Sequence, residues 1–178
     1  MPKSRVAQPQ KPTHEHIRQL PSDAHWQKLT HAANSAFYSG ERQPAQKAYA
    51  AALIEAERLL VIAENAANPG NAATILVISH HNLAELAVDA GQTEIATHHF
   101  QAPFDRLLSL ARKSSTPSQL RQSCITNLKE ATIGLVTHLQ TKGAPITLIA
   151  DTIKKAKCVA NGASRSPKAA LRSSPRLS

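Results

Sequence analysis

The chain has 178 residues, with 21 Lys and Arg against 12 Asp and Glu, nine His, two Cys, one Trp, two Tyr and three Phe. That length suits one domain with tails, and a compact body of about 150 residues buries roughly 68–70% of its unfolded surface. No apolar run approaches the roughly 20 residues of a membrane-spanning helix, no apolar stretch follows the basic N-terminus as a secretory signal requires, and Cys124 and Cys158 are too few for a disulfide scaffold or a zinc cluster; a soluble, cytoplasmic protein is expected.

Residues 1–21 form the first flank. Lys3, Arg5, Lys11 and Arg18 stand there against Glu15, among four prolines at Pro2, Pro9, Pro12 and Pro21. Such a segment buries too little apolar surface to offset its ordering entropy and is expected to be disordered. From residue 22 to residue 160 Ala, Leu and Ile dominate, and their recurrence at three and four residues predicts helices rather than strands. Trp26, Leu29, Ala33, Ala36 and Phe37 lie on one face of a first helix, capped by Ser22-Asp23 and ended at Gly40. Pro44 suits the first position of a second, where its missing N–H is not needed. Ala45, Ala48, Tyr49, Ala52, Leu53, Ala56, Leu60 and Ala63 make its stripe. Asn68-Pro69-Gly70-Asn71 breaks the chain, with Asn71 as the next cap. A third helix runs to about Ala90 through Leu76, Leu83, Ala84, Leu86 and Ala87. After Gly91, with Thr93 as cap, a fourth carries Ile95, Ala96, Phe100, Phe104, Leu107, Leu108 and Ala111, and Pro103 is expected to kink it. Thr116-Pro117 opens a fifth with Leu120, Cys124, Leu128, Ala131, Leu135 and Leu139. Gly143 stops it, and Pro145 opens a short sixth through Leu148, Ile149, Ile153 and Ala156. Residues 161–178 are a Ser-, Pro- and Arg-rich tail with four basic residues and no acid, again expected to be disordered. Of the net charge of +9, the flanks therefore carry +7 and the body only +2.

The six helices form an internal repeat. Gly40, Gly91 and Gly143 each fall in the turn of a helical hairpin, 51 and then 52 residues apart. Ala32-Ala33 and Ala36, Leu83-Ala84 and Ala87, and Leu135-Val136 and Leu139 precede the three turns. Ala45 and Tyr49, Ala96 and Phe100, and Leu148 and Thr152 follow them. Small residues beside a turn let antiparallel helices approach, and a larger one a turn later fills the space where they diverge. Each hairpin alone leaves an apolar face bare, which stacking buries.

Residues 80–100, HHNLAELAVDAGQTEIATHHF, resemble a tetratricopeptide repeat. Leu83-Ala84 stand for its Leu-Gly pair and Ala87 for its first-helix Tyr, followed by Gly91, Ala96 and Phe100. Residues 34–53 resemble it more loosely through Gly40, Ala45, Tyr49 and Ala52, and the third hairpin keeps Gly143. The chain departs from that family in its longer spacing, against about 34 residues, in Pro103 where the family has a small residue, and in the length of its second helix. The resemblance implies an all-α, right-handed array of antiparallel hairpins acting as a non-catalytic adaptor for another protein or peptide.

The resemblance also places the contacts, on the first helices of the hairpins. They are Thr30, Asn34, Phe37 and Tyr38 in the first, and Ile78, His81, Asn82, Glu85, Val88 and Asp89 in the second. Asn34 and Asn82 match two asparagines with which chaperone-tail-binding members hold a peptide carboxylate. Thr30, Glu130 and Gly134 stand where the cations of that clamp belong, so charge-assisted bonding to a C-terminus is not expected.

The histidine doublets His80-His81 and His98-His99 fold to similar height about Gly91 and are weak candidates for a metal site, since imidazole suits Zn, Cu or Ni. Adjacent helical residues point about 100° apart, so the plainer expectation is one packed and one solvated histidine in each doublet. No phosphate loop, nucleophile elbow or HExxH pair occurs, and Cys124 falls on an apolar stripe, so neither an enzyme nor a cofactor is expected. The basic flanks allow weak, salt-dependent nucleic-acid contact as an alternative activity. An uncapped apolar end on the sixth helix predicts self-association as a homo-oligomer.

Overall fold

The computed structural model describes residues 22–164, and the expectations for the two flanks fall largely outside them. Among the described residues there are six helices and no strand. They are α1 (Ala24–Tyr38), α2 (Arg42–Ala63), α3 (Ala72–Asp89), α4 (Thr93–Arg112), α5 (Ser118–Thr141) and α6 (Ile146–Ser164). Each helix packs on the next in sequence, and α5 also touches α3, as α6 touches α4. The result is an all-α stack of three antiparallel hairpins, α1–α2, α3–α4 and α5–α6.

The three hairpin turns are the same turn. Gly40, Gly91 and Gly143 have φ of 76°, 69° and 71°, in the left-handed region that costs an L-residue with a Cβ. At each, the glycine N–H reaches back three residues, to the carbonyls of Phe37, Val88 and Gln140. The following N–H reaches back five, from Glu41 to Ala36, Gln92 to Ala87 and Ala144 to Leu139. This double closure satisfies the carbonyls that a helix end leaves open. Ala33, Ala45, Ala84 and Ala96 are completely buried beside the first two turns, so the helices close on small side chains there.

Two buried clusters form the core. The larger joins Leu59, Leu60, Leu76, Phe104, Leu107, Leu110, Leu120, Cys124, Leu128 and Leu135 from α2 to α5, with Ile149 and Val159 from α6. The smaller joins Ala33, Ala45, Tyr49, Leu83 and Leu86 across the first two hairpins. Trp26 ties α1 to α3, its indole N–H donating to Ser79 Oγ at 2.8 Å, while Ser79 donates to the carbonyl of Ile75 at 2.8 Å.

Several boundaries differ from the sequence reading. α2 begins at Arg42, so Pro44 sits third in the helix, still inside the first turn where no N–H is needed. No side-chain cap bond forms at the N-termini of α1 to α5, and the cap residue of α4 is Gln92 rather than Thr93. Ser22 Oγ instead accepts the N–H of Ala24 at 3.1 Å. α4 runs unbroken through Pro103, which is fully buried. The sixth helix is not short: its 19 residues pass residue 160, where the sequence placed the end of the domain, and reach Ser164. In α6 Leu148 is 46% exposed and Ile149 is buried, while Thr152, nine residues after its glycine as Tyr49 and Phe100 are after theirs, is buried as the repeat predicts. Ile95, placed on the α4 stripe, is exposed.

Candidate functional site

α3 sits in the middle of the stack, flanked by α2, α4 and α5, and most of its side chains are buried. Two features of this helix stand out: a strip of outward residues and a knot of histidines.

On the outward strip Ile78, Asn82, Glu85 and Val88 recur at intervals of four, three and three residues, which keeps them on one helical face. Ile78 is 38% and Val88 52% exposed, Glu85 is exposed and Asn82 half-buried. On α5, Ile133 is 49% exposed. At the end of α1, Tyr38 is 85% exposed, its ring meeting that of Phe37 edge-on at 5.8 Å. Asn34, Phe37 and Asp89, also expected as contacts, have partners within the fold. Asn34 Oδ1 accepts the Tyr49 hydroxyl at 2.7 Å, and Phe37 packs half-buried on the smaller core cluster. Burial, then the neighbouring Tyr38 and Glu85, raise the Tyr49 hydroxyl above its ordinary pKa. Asp89 is ion-paired with Arg42 at 2.7 Å across the start of α2.

The histidines divide differently from the expectation of one packed and one solvated ring in each doublet. Both rings of the first doublet face inward, and only His98 of the second is exposed. His80 is buried and its Nδ1 lies 3.1 Å from Nδ1 of His99. That contact accommodates one proton between the two nitrogens, so the pair excludes the doubly charged state. Burial first, and then His99, His98 and His81, push the pKa of His80 down to about 3. Burial and then His98 lower His99.

His81 turns the other way, toward α5. Its ring lies 5.3 Å from that of Phe100 and its Nε2 is buried without a partner. Burial lowers its pKa against the opposing pull of Glu130. A Cβ at Gly134 would stand 2.8 Å from both Cε1 and Nε2 of His81 and 3.2 Å from Phe100 Cδ1. Gly134 is thus the seat that lets the imidazole enter between α3 and α5. Phe100 then stacks at 5.0 Å on His138, whose Nε2 is 2.8 Å from Thr97 Oγ1. The Thr97 hydroxyl proton goes to the carbonyl of Thr93 and Lys142 Nζ donates to the Thr97 hydroxyl oxygen, so His138 Nε2–H is the donor in its contact with that hydroxyl. His138 is lowered by burial and by Lys142, against Glu94.

Chemically this junction is a sequence of neutral rings. Among the described residues no group of three or more His, Cys, Asp or Glu side chains is placed to hold a metal ion. Cys124 is fully buried and its thiol is pushed up to about 11, mainly by burial, whereas Cys158 is exposed. Burial of that kind makes a thiol unreactive at neutral pH. Gly134 was legible in the sequence as an isolated glycine in a helical stretch, which signals a close approach; what approaches it was not.

Among the described residues no helix is long and apolar enough to cross a membrane. No curated protein and no solved structure matches the chain. Residues 24–171, which include all six helices, match the family model described as a protein of unknown function, DUF2753, and the chain belongs to that family.

Proposed function

We propose that this protein is a non-catalytic adaptor, a tetratricopeptide-like right-handed array that holds another protein or a peptide along the first helices of its hairpins. The observation that carries the reading is the exposure of large apolar side chains on the first helices of the hairpins, Tyr38 on α1, Ile78 and Val88 on α3 and Ile133 on α5. Apolar side chains interleaved with Glu85 and Asn82 offer the mixed surface that docking interfaces use. The repeated glycine turn, with the same two closing hydrogen bonds, supports the likeness to tetratricopeptide hairpins. Because Asn34 is bonded to Tyr49, and Thr30, Glu130 and Gly134 stand where the clamp cations belong, the partner is held by side-chain packing rather than by a C-terminal carboxylate. The site of action is the cytoplasm.

The test is capture from the host by full-length protein, followed by a purified binary assay with each captured protein. A true partner binds the wild type and loses at least tenfold in affinity with Ile78→Glu plus Val88→Glu, two exposed positions whose change leaves the fold intact. Retention of binding by that double variant would falsify the reading. The alternative, nucleic-acid association through the basic flanks, predicts a gel shift at low salt that disappears when residues 1–21 and 165–178 are deleted.

A further inference from the structure

A cavity of about 490 Å³ opens where the C-terminal end of α4, the first turns of α5 and the last turns of α6 converge, remote from the outward strip of α3. Its lining is divided. Arg112, Ser118, Arg121 and Gln122 supply a polar side, while Ile125 and Val159 lead the apolar side. No Asp or Glu lines it. Arg121 Nη2 donates to the carbonyls of Ser114 at 3.2 Å and Thr116 at 2.9 Å, which fixes its guanidinium against the α4–α5 loop. Its Nε is buried and has no hydrogen-bond partner. Arg112 adds a second cation with no carboxylate partner among the described residues. α5 also begins with no acidic residue and no side-chain cap, so nothing there competes for negative charge.

We propose that this cavity binds a small organic anion, with an oxyanion head on the Arg112–Arg121 side and a short apolar body against Ile125 and Val159. The volume lies within the range of about 300–1,000 Å³ typical of small-molecule sites. The head pairs with the guanidinium groups of Arg112 and Arg121, with the Ser118 hydroxyl and the Gln122 amide as further donors. Carboxylates and phosphate monoesters share this chemistry.

Cys158 lines the same cavity and serves as a reporter, since Cys124 is buried and does not compete. The full-length protein is alkylated with iodoacetamide in the presence of hexanoate, hexyl phosphate or neutral hexanol. The expected result is saturable slowing of Cys158 alkylation, by at least threefold, with one or both anions and not with hexanol. Protection by hexanoate alone assigns a carboxylate ligand, and by hexyl phosphate alone a phosphate monoester. Arg112→Gln, at an exposed position, weakens protection about tenfold, the loss expected for one charge-assisted contact. Gly162→Leu, where a Cβ meets nothing within 4 Å, places a side chain in the open space and reduces protection without disturbing the helix. Equal protection by hexanol, no protection by either anion, or full protection in Arg112→Gln each overturns the proposal.

Discussion

At the scale of single residues, two substitutions separate packing from chemistry. Ser79→Ala strands the buried indole N–H of Trp26, which then lacks its acceptor. The expected cost is about 1–3 kcal/mol, the desolvation of an unmatched donor. Trp26 is the single tryptophan, so urea unfolding followed by its fluorescence reads the change directly. Gly134→Ala sets two effects against each other. Alanine gains about 1 kcal/mol of helix propensity, but its Cβ comes 2.8 Å from two atoms of the His81 ring. That ring is wedged against Phe100, so overpacking at about 1–3 kcal/mol wins and the melting temperature falls. His81→Ala in the same background restores the space, and the pair is then less unstable than the sum of the two changes. An additive result would mean that His81 does not occupy the seat described for it.

Helices and turns carry the next level. The positive φ at Gly91 demands glycine because a Cβ there is strained whatever the space, and the space itself is open. Gly91→Ala is therefore expected to destabilise by about 1–2 kcal/mol through backbone strain alone. Gly162→Ala has no such penalty and shifts the unfolding midpoint little or upward. The comparison is made by thermal melts of the two variants side by side. At this scale the sequence was largely readable. Glycine spacing located all three hairpin turns, and the three- and four-residue recurrence located all six helices. What it misjudged were registers and caps. In α6 Leu148 turns outward and Ile149 inward, and no local signal separates these two neighbours; the packing of Ile149 and Val159 on the larger core cluster does. α4 is one helix through Pro103, where the missing hydrogen bond falls on the His99 carbonyl alone and the proline ring is buried in the stack.

For the whole molecule the histidines govern the response to acid. His80, His81, His99 and His138 all have pKa values lowered in the folded protein, in each case chiefly by burial. The unfolded chain therefore takes up protons first as the pH falls, so the stabilising effect of the neutral rings is complete above about pH 6.5. It is lost as the pH drops below that value and, for His80, continues to be lost down to about 3. For His80 the slope approaches about 1.4 kcal/mol per pH unit in that window, and the other three rings act in the same direction. Urea midpoints are expected to be level from pH 8 to 7 and to fall steeply from pH 6.5 to 5. Glu55 lies outside this range: its carboxyl is held below the ordinary value by hydrogen bonding to Arg58, so its contribution fades only in stronger acid. His99→Gln removes one member of the buried pair and flattens the slope. A wild-type midpoint that stays level down to pH 5 would contradict the neutral junction. Stripping divalent metals with a chelator is expected to leave the melting temperature unchanged, because His80 and His99 spend their facing nitrogens on each other.

The sequence by itself determined the all-α class, the count of helices and the hairpin plan, because these rest on apolar recurrence and left-handed glycines, both properties of neighbouring residues. It also located the charge, placing +7 of the +9 on the flanks. The tertiary structure decided which side chains of the first helices stay exposed. Asn34, Phe37 and His81 carry the same outward-looking pattern as Tyr38 and Glu85, yet the first three are taken up by Tyr49, by the smaller core cluster and by the Gly134 seat. It likewise brought Arg112 and Arg121, on different helices, to one cavity closed by the far end of α6. Such assignments depend on how helices cross, a relation among residues distant along the chain that no local periodicity encodes.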